Sequence, residues 1–181
     1  MEAAAKEIKN GRLTVLLLPG IGTIADLKQA KACGAKAVRV ATHVTEADVS
    51  AEHIYAAKEL GMMAVGFLMM VHTAPVERIV EEAKKMESYG ADYINLADSA
   101  GYLMPEDVKA RIRAVREAVN IPVGFHAHNN RGLAIATSLI AVQSGPDFVD
   151  GPLPGPGAGG GPDGLGGGEQ GPGVGRGGGC G

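Results

Sequence analysis

From Leu13 to Leu153 short apolar runs alternate with longer amphipathic stretches, the pattern of repeated βα units that feed a parallel sheet. The runs Leu13–Leu18, Ala37–Ala41, Ala64–Met69, Tyr93–Ala97, Pro122–His126 and Phe148–Val149 are too short and too aliphatic for helices, and read as strands. Between them Ile24–Cys33, Ala51–Leu60, Pro75–Ser88, Pro105–Val119 and Leu133–Gln143 bring apolar residues back at intervals of three and four, which predicts helices. The punctuation agrees. Gly34, Gly61, Gly90 and Gly145 each follow a predicted helix, where a left-handed terminating residue is wanted, and Pro75 and Pro105 suit a first helical turn.

One unit takes roughly 25 to 30 residues, so eight would fill the ~250 residues of a (β/α)8 barrel, and this chain holds about six. The expected fold class is therefore α/β, a partial (β/α)8 TIM barrel, with an open α/β sheet as the other topology the length allows. Residues 1–150 are expected to form the barrel domain. Residues 151–181, GPLPGPGAGGGPDGLGGGEQGPGVGRGGGCG, are more than half glycine, offer almost nothing to bury, and are expected to be a disordered tail. A glycine-rich phosphate loop would run straight into a helix, and no helical pattern follows.

Composition narrows the partners. Over 181 residues, 45% hydrophobic and 20% charged positions describe an ordinary globular domain. A net charge of −3 supplies no basic face for a phosphate backbone, which argues against nucleic acid. No run is long and apolar enough for a membrane span, and the opening MEAAAKEIKNGR is charged and helix-forming, without the apolar core of a signal peptide. A cytoplasmic protein is expected. Cys33 and Cys180 lack the short spacings of a disulfide framework or zinc clip; Cys33 reads as a small buried hydrophobe and Cys180 as incidental.

Chemistry concentrates where strands end. In His126-Ala127-His128 alternate residues of a strand point the same way, which brings two imidazoles together at the edge where barrel active sites form. Metal ligation and ordinary structural histidines are the two readings. Tyr93–Ser99 ends another apolar strand with Asp98 and Ser99, placed to meet a substrate carboxylate, a metal or a neighbouring backbone amide, or merely to cap the following turn. In Arg39-Val40-Ala41-Thr42-His43, Arg39 needs a partner, whether a structural carboxylate inside the barrel or a substrate, and His43 is open between site lining and structure. Leu18-Pro19-Gly20-Ile21-Gly22 is explained by turn geometry, and the methionines of Gly66-Phe67-Leu68-Met69-Met70, ahead of His72, by core filling.

The strings LLLPGIGT, RVATHVTEADV, GFLMM, MESYGA, LADS and HAHNN, in this order and at or near strand ends, together resemble the 4-hydroxy-2-oxovalerate aldolase family, a branch of the metal-dependent lyase barrels with HMG-CoA lyase relatives. The resemblance covers roughly Leu13 to Asp150. It implies that His126 and His128 ligate Mn2+ or Mg2+, that Ser99 contacts the substrate carboxylate, and that Asn130 takes the asparagine of a HAHHN string in which Asn129 replaces a histidine. It implies cleavage of a 4-hydroxy-2-oxoacid to pyruvate and an aldehyde, and a partnership with an acylating acetaldehyde dehydrogenase.

The family's TLRDG-like first-strand motif, which carries an arginine, a metal-ligating aspartate and a nearby histidine base, is absent from this sequence, so the catalytic residues proper stay unassigned. The resemblance places the start of the chain in the helix before strand three. Val149-Asp150-Gly151 and Gly157-Ala158-Gly159 echo the last strand and its glycine-rich turn, without the helix that should follow. Two histidines alone hold a hard divalent ion weakly, so little or no aldolase activity is expected of this chain by itself. Two other readings remain: a non-catalytic remnant or scaffold, and another metal-dependent lyase or condensing enzyme that shares the HxH pair.

Overall fold

A computed structural model describes residues 1–145 and 147–150. A short helix α1 (Glu2–Glu7) precedes the first strand, β1 (Thr14–Leu17). Then follow α2 (Ile24–Ala32), β2 (Ala37–His43), α3 (Ala51–Glu59), β3 (Met63–Met69), α4 (Val76–Ser88), β4 (Tyr93–Asp98), α5 (Pro105–Ala118), β5 (Val123–Ala127), α6 (Ala134–Gln143) and β6 (Phe148–Asp150). Single 3-10 turns at Ala47–Ser50 and Val71–Thr73 precede α3 and α4. Every predicted strand and helix is present. The tail at 151–181, with Cys180, lies outside the described residues.

All neighbouring strands are parallel, and the sheet order is the chain order, β1 to β6. An open doubly wound sheet reverses its order at a switch point. This one never does, so right-handed crossovers put α2 to α6 on a single face, and the fold is an arc of a (β/α)8 barrel. One contact measures the curl. Arg39 on β2 is ion-paired with Asp150 on β6, although four strand spacings separate them, roughly 19 Å across a flat sheet. Only a curled sheet brings those two side chains together.

Strand alternation sorts the residues into two layers. Val38, Val40, Ala64, Leu68, Ile94, Leu96, Val123 and Phe125 face the helices and form the main core with Leu27, Ile54, Ile79, Met86 and Ile112. The intervening Ala41, Phe67 and Ala97 form a separate small cluster on the concave face. Gly34, Gly61, Gly90 and Gly145 take positive φ after α2, α3, α4 and α6, as the spacing predicts. Pro105 opens α5, whereas Pro75 sits one residue earlier than predicted, as the N-cap of α4, because its extended ψ of 156° keeps it out of the first turn. Cys33 is buried.

A charged residue inside this packing was not anticipated. Glu82 on α4 is fully buried; its Oε2 accepts the backbone N–H of Ala47 at 2.7 Å, and its Oε1 meets Arg78 at 2.8 Å and Lys85 at 2.7 Å. It therefore ties α4 to the 3-10 turn after β2. Glu82→Ala leaves the Ala47 N–H without its acceptor, about 1 to 3 kcal/mol, and opens a cavity, while Arg78 and Lys85, each 38% exposed, recover water. The expected total is about 2 to 4 kcal/mol, read as a lower urea midpoint with an unchanged slope.

Candidate functional site

Four strands contribute to one cluster on the concave face. His126 on β5 and Asp150 on β6 are direct register partners, so their side chains stand side by side. His126 Nδ1 lies 2.8 Å from Asp150 Oδ1. The other carboxylate oxygen accepts from Arg39 Nη2 and, at 3.2 Å, from Asn95 Nδ2 on β4. Arg39 crosses the ring of Phe67 at 5.6 Å on its way, and that ring also meets His126 edge-on at 5.6 Å. Burial pushes the Asp150 carboxyl up, but the hydrogen bond and charge of His126, the Arg39 charge and the Asn95 hydrogen bond outweigh it and hold the group below its usual value. Below this row Gly124 leaves room for Phe148, whose ring would lie 2.2 Å from a Cβ there and stacks edge-on against Tyr93.

His128 follows one residue after β5 ends and keeps the alternation, so its ring stands 5.0 Å from that of His126, centroid to centroid. An ionised carboxylate only accepts hydrogen bonds, so Asp150 engages the Nδ1–H of His126 and leaves Nε2 with its lone pair. Two imidazoles so placed fit two positions in a metal shell. Among the described residues no group of three or more His, Cys, Asp and Glu side chains is gathered as a metal cluster, so an octahedral ion would need oxygen ligands beyond this pair.

The other predicted site residues separate. Asp98, the last residue of β4, alternates onto the helix side, where it is 2% exposed and accepts the N–H groups of Tyr102 at 3.1 Å and Leu103 at 2.9 Å. That is the geometry of a turn anchor. Ser99 lies beyond the strand end, and its Oγ accepts the N–H of Met70 at 3.0 Å, which leaves its own hydroxyl hydrogen to donate. Met70 holds a left-handed φ of 60°, the one such non-glycine residue among those described. His72 stacks obliquely on Tyr102, with Nδ1 3.7 Å from Asp98 Oδ1. His43 Nδ1 is 2.9 Å from Thr45 Oγ1, in the loop that follows β2.

The loops after β4 and β5 are bolted together. Asn130 Nδ2 donates to Ala100 O at 2.7 Å, and Arg131 donates to Tyr102 O at 3.1 Å while covering the Tyr102 ring at 4.0 Å. Gly101 makes the approach possible, with φ +57 and the backbone of His128 and Asn130 where a side chain would begin. Asn129 accepts the N–H of Ala134 at 3.1 Å and so steadies the start of α6.

Sequence reasoning found the two histidines and the need of Arg39 for a partner, but missed Asp150, Asn95 and Gly101 as parts of the site. For Asp150 a signal existed: an acid at the end of a predicted strand, on the parity that faces a barrel interior.

Comparison with known proteins adds identity to geometry. A family model described as HMGL-like matches residues 1–166. The chain is 66% identical over 161 residues to a 4-hydroxy-2-oxovalerate aldolase of Moorella thermoacetica, covering 89% of this chain and 48% of that protein. It is 58% identical, over the same shares of each chain, to one of Carboxydothermus hydrogenoformans. The chain thus spans about half the length of the curated relatives it matches. Among solved structures, the carboxyl transferase domain of Rhizobium etli pyruvate carboxylase with 3-hydroxypyruvate superposes with a TM-score of 0.76 at 25% identity, over 82% of this chain and 28% of that one. The same domain with pyruvate gives 0.74 at 26% identity, over the same shares.

Proposed function

We propose, from the premise that the chain belongs to the HMGL-like family, that it carries the metal-holding part of a divalent-metal-dependent aldolase that cleaves 4-hydroxy-2-oxovalerate to pyruvate and acetaldehyde. The carrying observation is His126, whose Nδ1 is engaged by Asp150 while His128 stands beside it at the open strand end. The aldolase names of the relatives support the reaction. The pyruvate in the structural neighbour supports the product as the shared ligand chemistry.

Breaking the C3–C4 bond of a 4-hydroxy-2-oxoacid leaves pyruvate as its enolate, so catalysis needs positive charge at the 2-oxo oxygen and a base for the C4 hydroxyl proton. Mn2+ or Mg2+, held by His126 and His128, would supply that charge as a Lewis acid. Ser99 donates its free hydroxyl hydrogen to the substrate carboxylate. Asp98 fixes the loop behind Ser99 through the Tyr102 and Leu103 amides. The chain spans about half the length of these relatives, the base and further ligands stay unassigned among the described residues, and an acylating acetaldehyde dehydrogenase is the proposed consumer of the aldehyde. No helix among the described residues is long and apolar enough to cross a membrane, and the cytoplasm is the proposed compartment.

Calorimetry tests the reading. Mn2+ is expected to bind once per chain, and pyruvate to bind only after Mn2+ is loaded, with slow or no pyruvate release from 4-hydroxy-2-oxovalerate by the chain alone. Pyruvate binding that ignores the metal, or no Mn2+ binding at all, would sink it.

A further inference from the structure

We infer that Asp150 is the positioning residue for His126: clamped by Arg39 and Asn95, it fixes the imidazole as the Nδ1–H tautomer and turns Nε2 toward the open end of the strands. The inference deepens the metal reading, but its tautomer part stands on geometry alone.

A neutral histidine carries one ring proton, and the partner at one nitrogen decides which nitrogen has it. Asp150 Oδ1 is 2.8 Å from His126 Nδ1. Its Oδ2 receives two donors, the Arg39 guanidinium and the Asn95 amide. Both oxygens are thus committed, and neither can rotate away without losing a partner.

Three strands hold the carboxylate. Arg39 comes from β2, Asn95 from β4 and His126 from β5, while Asp150 itself ends β6. Arg39 in turn rests against Phe67 of β3. A side chain held from so many directions has little freedom, which is what a group needs if it is to aim another. Asn95 is fully buried and Asp150 is 19% exposed at its side chain, so water competes weakly for these bonds.

The near-isosteric change Asp150→Asn separates aiming from filling space. Arg39 and Asn95 both donate, so they claim the new carboxamide oxygen and leave its NH2 facing His126. Nδ1 must then accept, which moves the ring proton to Nε2 and blocks the nitrogen turned to the strand end.

The test is the ring 15N spectrum of 15N-histidine-labelled chain at a pH where the imidazole is neutral, with His126 assigned by difference against His126→Gln. The wild-type ring is expected to be Nδ1–H, and in Asp150→Asn predominantly Nε2–H with backbone amide dispersion intact. The affinity for Mn2+, measured in parallel, is expected to fall 10- to 100-fold, roughly the effect of losing an orienting partner behind a ligand. A wild-type ring already in the Nε2–H form, or one whose tautomer survives Asp150→Asn, overturns the assignment, and the wild-type arm holds even if the variant fails to fold. Tautomer inversion in a chain that binds no Mn2+ supports the role of Asp150 and sinks the metal reading instead.

Discussion

His126→Ala with His128→Ala is expected to reduce Mn2+ affinity by at least about 100-fold, beyond what losing an orienting partner alone does, while far-ultraviolet circular dichroism stays that of the wild type. Removal of both imidazoles takes away the ring pair that the strand alternation sets side by side at this edge, and among the described residues no third His, Cys, Asp or Glu ligand is gathered with them. The fold should survive because the pair lies on the concave face, while the main core lies on the helix side among residues such as Val123 and Phe125. Asp150 keeps Arg39 and Asn95, so no bare carboxylate is left. Undiminished Mn2+ binding in the double variant would place the ion elsewhere and remove the basis for a metal role of this motif.

Gly101→Val should cost about 2 to 6 kcal/mol, the sum of two separate terms. A β-branched residue at φ +57 adds strain of about 1 to 3 kcal/mol. Its Cβ would lie 2.6 Å from the Asn130 N, 2.7 Å from the His128 O and 2.9 Å from the His128 C, all backbone atoms that cannot swing aside. Overpacking of this kind costs about a further 1 to 3 kcal/mol. Gly20→Val is the matched control, since Gly20 has φ +87 but nothing within 4 Å. The melting temperature should fall for both, by roughly 10 °C for Gly101→Val at 2 to 4 °C per kcal/mol, and less for Gly20→Val. Equal losses would show that the approach of the two loops contributes nothing.

How much of this was legible depends on the range of the interaction. The strands could be read because apolar runs between helical periods are a local signal, though β2 and β4 extend past their apolar cores to His43 and Asp98, where parallel pairing continues through polar residues. His126 and His128 were legible because a period of two is a local rule. Asp98 was not resolvable between its two readings, because the amides it caps sit four and five residues on and nothing local says which way the loop turns. Arg39 announced the need for a partner, but the partner is 111 residues away on a strand that only the curl brings near. Gly101 gave no sign, since the reason for it is the backbone of another loop.

The pairing of Arg39 with Asp150 also bears on the order in which the fold assembles. Each strand pairs with its neighbour in the chain, so most closures bridge a single βα unit, and the entropy of each such loop is modest. The arc can therefore grow by accretion, much as stacked repeats do. The Arg39–Asp150 contact closes only when β6 arrives, so it acts as a late latch, and its loss would be felt in how fast the last strand detaches before it is felt in how the first strands form.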